Sequence, residues 1–529
     1  MRKKWSIIGM IGLLLVLLAN PTPAAEAVSA PGGRVTTAEE LAEALGGSAA
    51  AQVKDGAVLL LSDVRLREPI ELRPDAFEIF QLIGAGCVIA ADFTDGPFFS
   101  VGDGTSAARL ILGRTDAKSS DDSLILNGEG TSRTAPMIEV GGGSELYVCI
   151  GTALTDQASH AAGGAIGSEG RVFLYGGRIE NCRSTESGGA IASAGELTLT
   201  LGSIRNCSAA RGGAVFSSGK VALGGTEIAD CRADEGGILY NAGEAELISS
   251  TLSVGSAARG GGVYNAGTLT LSGGQILECT AEEGEGGGLY NVGTASLSGT
   301  YFKDNAAENG GSVYNAGTAE LTGGQIVDAA AADRGGHFYN ATDGVLTVSA
   351  GSVSRGKARY GGGIFNAGRL TVLGGGFNLN SAEIGSAILN EGAMILREYP
   401  YIDAKNDVFI VTEEGNPHAL ILESEMKADP NARLTPGVRD GDGYAVRFTE
   451  GGVLLTGEYV STGVSHFRLS EDGANRWTLD ESGSLSKQKP AYAEPWFYLA
   501  LAGAFAVTVA VLVLAIRSVD RKKASAQAE

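Results

Sequence analysis

Acidic side chains recur at one offset in this sequence: Asp230, Glu278, Asp304 and Asp328, with Asn181 and Asn206 at the same seat upstream. Carboxylates gathered into one column could hold Ca2+, a hard cation that takes oxygen ligands. Asp304 and Asp328 are therefore the candidate metal ligands, against the alternative of solvated turns in an acidic protein. Aromatic residues recur at a second offset, as Phe216, Tyr240, Tyr264, Tyr290, Tyr314, Tyr339 and Phe365. Rings aligned on one face would be a platform for sugar rings or for another protein's apolar surface. Tyr240, Tyr264, Tyr290, Tyr314 and Tyr339 are the candidate ligand-binding residues, self-stacking that stiffens a sheet being the alternative. Cys182, Cys207, Cys231 and Cys279 share a third offset. In-register side chains lie about 4.8 Å apart, beyond the usual ~3.5–4.5 Å between the β-carbons of a disulfide, so reduced thiols are expected.

The element that could align such columns is a repeat. A phrase Gly-Gly-x-aliphatic-aromatic-Asn begins at residues 163, 188, 212, 236, 260, 286, 310, 335, 361 and 385, a period of 24 to 26 residues. A Leu or Val series from Leu174 and Leu199 to Leu396 keeps the same period. Ile179, Ile204, Ile228 and their successors follow it five residues later. Three short apolar segments with glycine corners, and no helical stretch within the period, favour a parallel β-helix over a leucine-rich repeat. Each coil would carry three strands. Leu199, Leu223, Leu247 and Leu271 would stack in the lumen, and the Asn at the end of the phrase would form a ladder of amides.

Chemistry that needs convergent groups is poorly served. Four His and six Cys without a Cys-x-x-Cys or His-x-x-x-His supply no recognisable zinc site. A polysaccharide lyase or hydrolase needs acid, base and charge stabilisation around one cleft. The outward strand positions Thr198, Ala222, Glu246, Thr270, Ser296, Glu320, Thr347 and Thr371 yield no Asp pair with a supporting cation, and the period admits no long inserted loop. No catalytic residue is assigned. The net charge of −21 repels phosphate backbones, so nucleic acid is not an expected partner.

Both ends carry an address. Arg2, Lys3 and Lys4, then the apolar run Ile7 to Leu18 and small residues near Ala25, read as a signal peptide over 1–27. Residues 496–516 contain no charge, open on Trp496, Phe497 and Tyr498, and are followed by Arg517, Arg521, Lys522 and Lys523. That pattern predicts one transmembrane helix with 517–529 in the cytoplasm and the remainder outside the cell. Between them the expected organisation is an N-terminal capping segment over 28–56, irregular first coils over 57–162, regular repeats over 163–400, final coils with a β-rich cap over 401–485, and a stalk over 486–495. Thr37 to Gly46 reads as a short helix with a Thr37/Glu40 capping box, placed over the open end of the lumen.

Gly-Gly-Gly-Val-Tyr-Asn-Ala-Gly at 260 to 267 resembles the right-handed parallel β-helix repeats of bacterial surface proteins in the pectate-lyase-like superfamily. The Gly-Gly-x-Ile phrase is similar to the repeats of chlamydial polymorphic outer membrane proteins. Those pair it with Phe-x-x-Asn, here Phe302 to Asn305 and Phe377 to Asn380, replaced elsewhere by forms such as Ile179-Glu180-Asn181-Cys182. His466 to Leu469 and Asn475 to Gly483 resemble the modules that end such rods. The resemblance implies an all-β, right-handed parallel β-helix with activities ranging from lyases and hydrolases to adhesins. The chlamydial proteins end in a barrel; a single terminal helix suggests a one-membrane bacterium. The expected function is a membrane-anchored surface rod that binds an extracellular glycan or protein surface or shapes the envelope, with a polysaccharide lyase or glycoside hydrolase as the alternative.

Overall fold

The computed structural model describes residues 28–30, 33–114, 123–413, 416–427, 432–441, 443–470, 476–488 and 495–526. The signal peptide expected over 1–27 lies outside them, as do 471–475 of the expected terminal module, 489–494 of the expected stalk and 527–529 of the expected tail.

One coil explains the rest. From Gly260 the chain forms strands Val263–Asn265, Thr268–Ser272 and Gln275–Leu277. Each pairs in parallel with its counterpart one period later: Asn265 with Asn291, Leu271 with Leu297, Ile276 with Phe302. Alternation along each strand sends one set of side chains inward. Leu199, Leu223, Leu247 and Leu271 stack in direct register at 1% exposure or less. The corners are set by conformation and space. Gly260 takes φ +64°, and a Cβ there would lie 2.2 Å from the Val263 carbonyl. At Gly267 a Cβ would lie 2.0 Å from the Gly243 carbonyl of the coil before, so only glycine lets the coils close up.

The result is a parallel β-solenoid of about 15 turns, a rod roughly 70 Å long at the ~4.8 Å strand spacing. It begins earlier than the repeats do. Val28–Ala30 pairs with Val64–Leu66 and Gly33–Val35 pairs with Ile70–Leu72, so the segment expected only to cap the rod also supplies strands of its first coil. Between them lies the helix Ala38–Ala44, whose Leu41, together with the capping Leu45, is fully buried in the lumen core. Thr37 accepts a hydrogen bond from the Glu40 amide at 3.2 Å, as expected. The Glu40 carboxylate in turn accepts from the Thr36 amide at 2.5 Å, so the cap closes one residue earlier than the expected box.

At the other end the sheets continue through Asp407–Glu413, Arg433–Asp440 and Arg468–Leu469. Among the described residues three antiparallel pairs break the period there, Thr412 opposite Pro417, Arg439 opposite Tyr444 and Thr478 opposite Ser486. The inserted walls missing from the repeats are thus supplied by the cap. The helix Pro495–Ala526 contains the predicted span and is long and apolar enough over Pro495–Lys522 to cross a membrane.

Candidate functional site

The candidate tyrosines sit in the middle of three-residue strands such as Leu239–Asn241, between a buried apolar residue, Phe338 in the case of Tyr339, and a buried Asn. They lie outside the lumen core, as alternation requires. They form a continuous stack in which ring centroids from Phe216 to Phe365 are 4.7 to 5.3 Å apart and interplanar angles do not exceed 28°. Stacking changes what the column offers. Tyr264 and Tyr290 are only 9% and 8% exposed, because each ring face is covered by the next ring. The rings thus self-stack, the reading set beside the platform, and what the column turns outward is a line of ring edges.

A second column flanks the first. Arg211, Glu235, Arg259 and Glu285 pair in register just before the Gly-Gly corners. The Arg259 guanidinium lies 5.7 Å from the centroids of both Tyr264 and Tyr290 and is ion-paired with Glu235. Arg211 lies 5.1 Å from the Phe216 ring and Arg334 5.2 Å from that of Phe365, the geometry of cation–π contact. Burial pushes the hydroxyl pKa values of Tyr264, Tyr290 and Tyr339 up, so these groups remain hydrogen-bond donors at neutral pH. Sequence reasoning missed this column of alternating charge. Its signal lay at the residue preceding the Gly-Gly, as Arg211, Glu235, Arg259, Glu285 and Arg334.

The far end of the stack is closed. Tyr444, on the cap hairpin, meets Tyr360, Phe365 and Phe409 edge-on at 4.8, 6.4 and 5.9 Å, and its hydroxyl donates to Glu391 at 2.9 Å. At the near end the column passes in register from Phe216 to Ala192 and Gly167.

The acidic column has a backbone explanation. Asn181, Asn206, Asp230, Glu278, Asp304 and Asp328 all adopt φ between +52° and +57°. Asn and Asp tolerate this left-handed conformation better than other residues with a Cβ. Asp328 accepts two hydrogen bonds from Arg355, at 2.6 and 2.8 Å, which hold its carboxyl below the usual range. Asp304 pairs with Lys303 at 2.7 Å. Among the described residues no group of three or more His, Cys, Asp or Glu side chains is placed to hold a metal ion.

The cysteines are free and buried. Cys207 is flanked by Cys182 and Cys231, which with burial hold its thiol well above the ordinary range; burial pushes Cys279 up to about 12. A further ladder, unread in the sequence, runs along the outer face of the Leu strands as Arg109, Glu145, Arg171, Glu196, Lys220 and Glu244 in register. Glu145, 3% exposed, is held between Arg109 and Arg171.

No model of a known protein family matches the chain, and neither does any curated protein or solved structure. The likeness to pectate-lyase-like and chlamydial repeats rests on the motif residues alone.

Proposed function

We propose that this chain is a single-pass membrane protein that carries a β-solenoid rod on the outside of the cell, and that the rod works by binding. The observation that carries the reading is the join of a parallel solenoid of about 15 turns to one helix apolar enough to span a bilayer. A rod of this kind presents long columns of identical groups, which suits attachment to a repetitive surface better than turnover of a small substrate. The contact line is the edge of the aromatic column, where the hydroxyls of Tyr240, Tyr264, Tyr290, Tyr314 and Tyr339 run beside Arg211, Arg259 and Arg334. Its partner is an extracellular glycan or a protein surface with regularly spaced hydrogen-bonding groups.

The test is a screen of the full-length chain in detergent against immobilised glycans, scored for retention and cleavage together. Retention without cleavage supports the binding rod; turnover replaces it with an enzyme. Protease treatment of intact cells should remove the rod and spare the tail from Arg517 onward, and the reverse pattern would overturn the orientation.

A further inference from the structure

The outer face of the Leu strands divides into two unlike halves. Over the successive levels of Ile79, Arg109, Glu145 and Arg171 it is a ridge. Tyr147 and Phe173 stack there with centroids 4.5 Å apart, and the Arg109 guanidinium lies 5.3 Å from the Tyr147 ring. The next four levels, those of Glu196, Lys220, Glu244 and Thr268, form an open hollow of about 550 Å³. Exposed Ala222 lies in it, in register with Thr198 and Glu246.

Ion pairs inside each half leave opposite remainders. Arg109 and Arg171 share the single carboxylate of Glu145, so that trio keeps one surplus cation, and Arg171 is 51% exposed. In the hollow Lys220 pairs with Glu244 at 3.5 Å. Glu196 and Glu246 are exposed and make no ion pair among the described residues, so two carboxylates are left over. A surface that carries a cationic ridge beside an acidic hollow is complementary to itself when one copy is inverted on the other.

We propose that this face pairs two copies of the chain, antiparallel, about a two-fold axis that runs along the strands between Arg171 and Glu196. The axis sets the levels against each other in reverse order. Arg171 then faces Glu196, Glu145 faces Lys220, Arg109 faces Glu244 with Glu246 beside it, and Tyr147 falls on Ala222 in the hollow. Eight levels of five-residue strands give a contact of ~34 Å by ~17 Å, about 600 Å² on each copy. That is the small end of specific interfaces, where pairing is weak and reversible. Coils follow one another in chain order, so these levels lie away from the cap that leads to the helix Pro495–Ala526. On the anchored reading above, on which this step rests, antiparallel rods come from two facing membranes, and many weak pairs act together. None of the residues from Tyr240 to Tyr339 takes part.

The experiment is sedimentation of the full-length chain in detergent over a range of concentrations. A reversible dimer of micromolar strength is expected, weakening with salt. Ala222→Trp fills the hollow from an exposed position, so it should abolish the dimer and leave the melting temperature unchanged. Glu196→Lys should weaken pairing about tenfold or more. The geometry is read with Ile79→Cys and Thr268→Cys, ~34 Å apart in one chain but opposed across the axis. A short bis-maleimide should link these two variants to each other when mixed and neither to itself, the six native cysteines being buried. A monomer at all concentrations, a dimer indifferent to Ala222→Trp, or cross-linking within either cysteine variant alone would overturn the proposal. Vesicles carrying the chain with its rod outward should cluster, and Ala222→Trp should disperse them. Dimers in detergent without clustering would overturn the facing-membrane arrangement and leave the pairing surface standing.

Discussion

Asn265 donates its side-chain amide to Asn291 Oδ1 at 2.8 Å, across 26 residues of sequence and one step of the rod. The same bond repeats without a gap from Asn241 to Asn390. Each amide also bonds backbone carbonyls at the corner; Asn291 donates to Gly293 and Thr318. The ladder thus ties together the tight turn that follows the aromatic strand, at fully buried positions.

Asn291→Ala should be costly. It takes the donor from the Asn315 carbonyl oxygen, while the Asn265 amide keeps the Gly267 and Thr294 carbonyls as acceptors. With one buried group left unsatisfied, a loss of about 1–3 kcal/mol in urea melts is expected. In the first regular coils the seat is held by Ser168, Ser193 and Ser217, whose buried hydroxyls have no hydrogen-bond partner. Ser217→Ala should therefore change stability by no more than about 0.5 kcal/mol. Equal effects at the two sites would mean that the ladder carries no weight.

His337 makes the rod sensitive to acid. It is fully buried at a corner where other coils carry Ala, Gly, Ile or Ser, with Nε2 2.9 Å from the Ser354 carbonyl and Nδ1 3.3 Å from the Ser312 hydroxyl. Burial lowers its pKa from 6.5 to about 4. Between those values the unfolded chain takes up a proton that the folded chain refuses. Stability is therefore full above about 6.5 and falls as the pH drops toward 4, by about 3 kcal/mol. The nearby Asp328, held low by Arg355, titrates below this window and remains charged through it. His337→Ser should flatten the pH dependence of the melting temperature between 4 and 6.5; an unchanged slope would assign it to other groups.

The solenoid was legible because its contacts are spaced by one period: Leu199 and Leu223, or Ile276 and Phe302, touch because they are one turn apart. Tyr444 and Glu391 touch across 53 residues, most of them past the last repeat, so the closed end of the aromatic column could not be read from spacing. The acidic seat was open to two readings, because Asp and Asn are good calcium ligands and also good turn residues; the left-handed dihedrals there account for the turn. Ring orientation was hidden too, since a column of tyrosines reads the same whether its faces are open or stacked.

Val254 occupies the left-handed turn seat at φ +54°, between Asp230 and Glu278 in the neighbouring coils. A β-branched residue is strained there. Its side chain is 46% exposed, so little apolar burial is lost on replacement. Val254→Asn should raise stability by about 1 kcal/mol. A melting temperature that falls instead would show that the valine packs in a way the turn does not demand.

The aromatic column separates a structural role from a binding one when its centre is removed. Replacing Tyr264, Tyr290 and Tyr314 by Ser abolishes the four ring contacts between Tyr240 and Tyr339. At ~0.5–1.5 kcal/mol for each stacked pair, about 2–6 kcal/mol is lost beyond the burial of the rings themselves. The lumen partners Val263, Leu289 and Val313 and the amides Asn265, Asn291 and Asn315 remain, all fully buried. The triple variant should therefore melt several degrees lower while keeping its strand signal in circular dichroism at 25 °C. If the column is also the contact line, glycan or protein attachment should fall in this variant at temperatures where it is fully folded, and Arg259→Gln should weaken attachment with a smaller change in melting. Loss of the strand signal would make the stack part of the core. Retained attachment would move the contact line elsewhere on the rod.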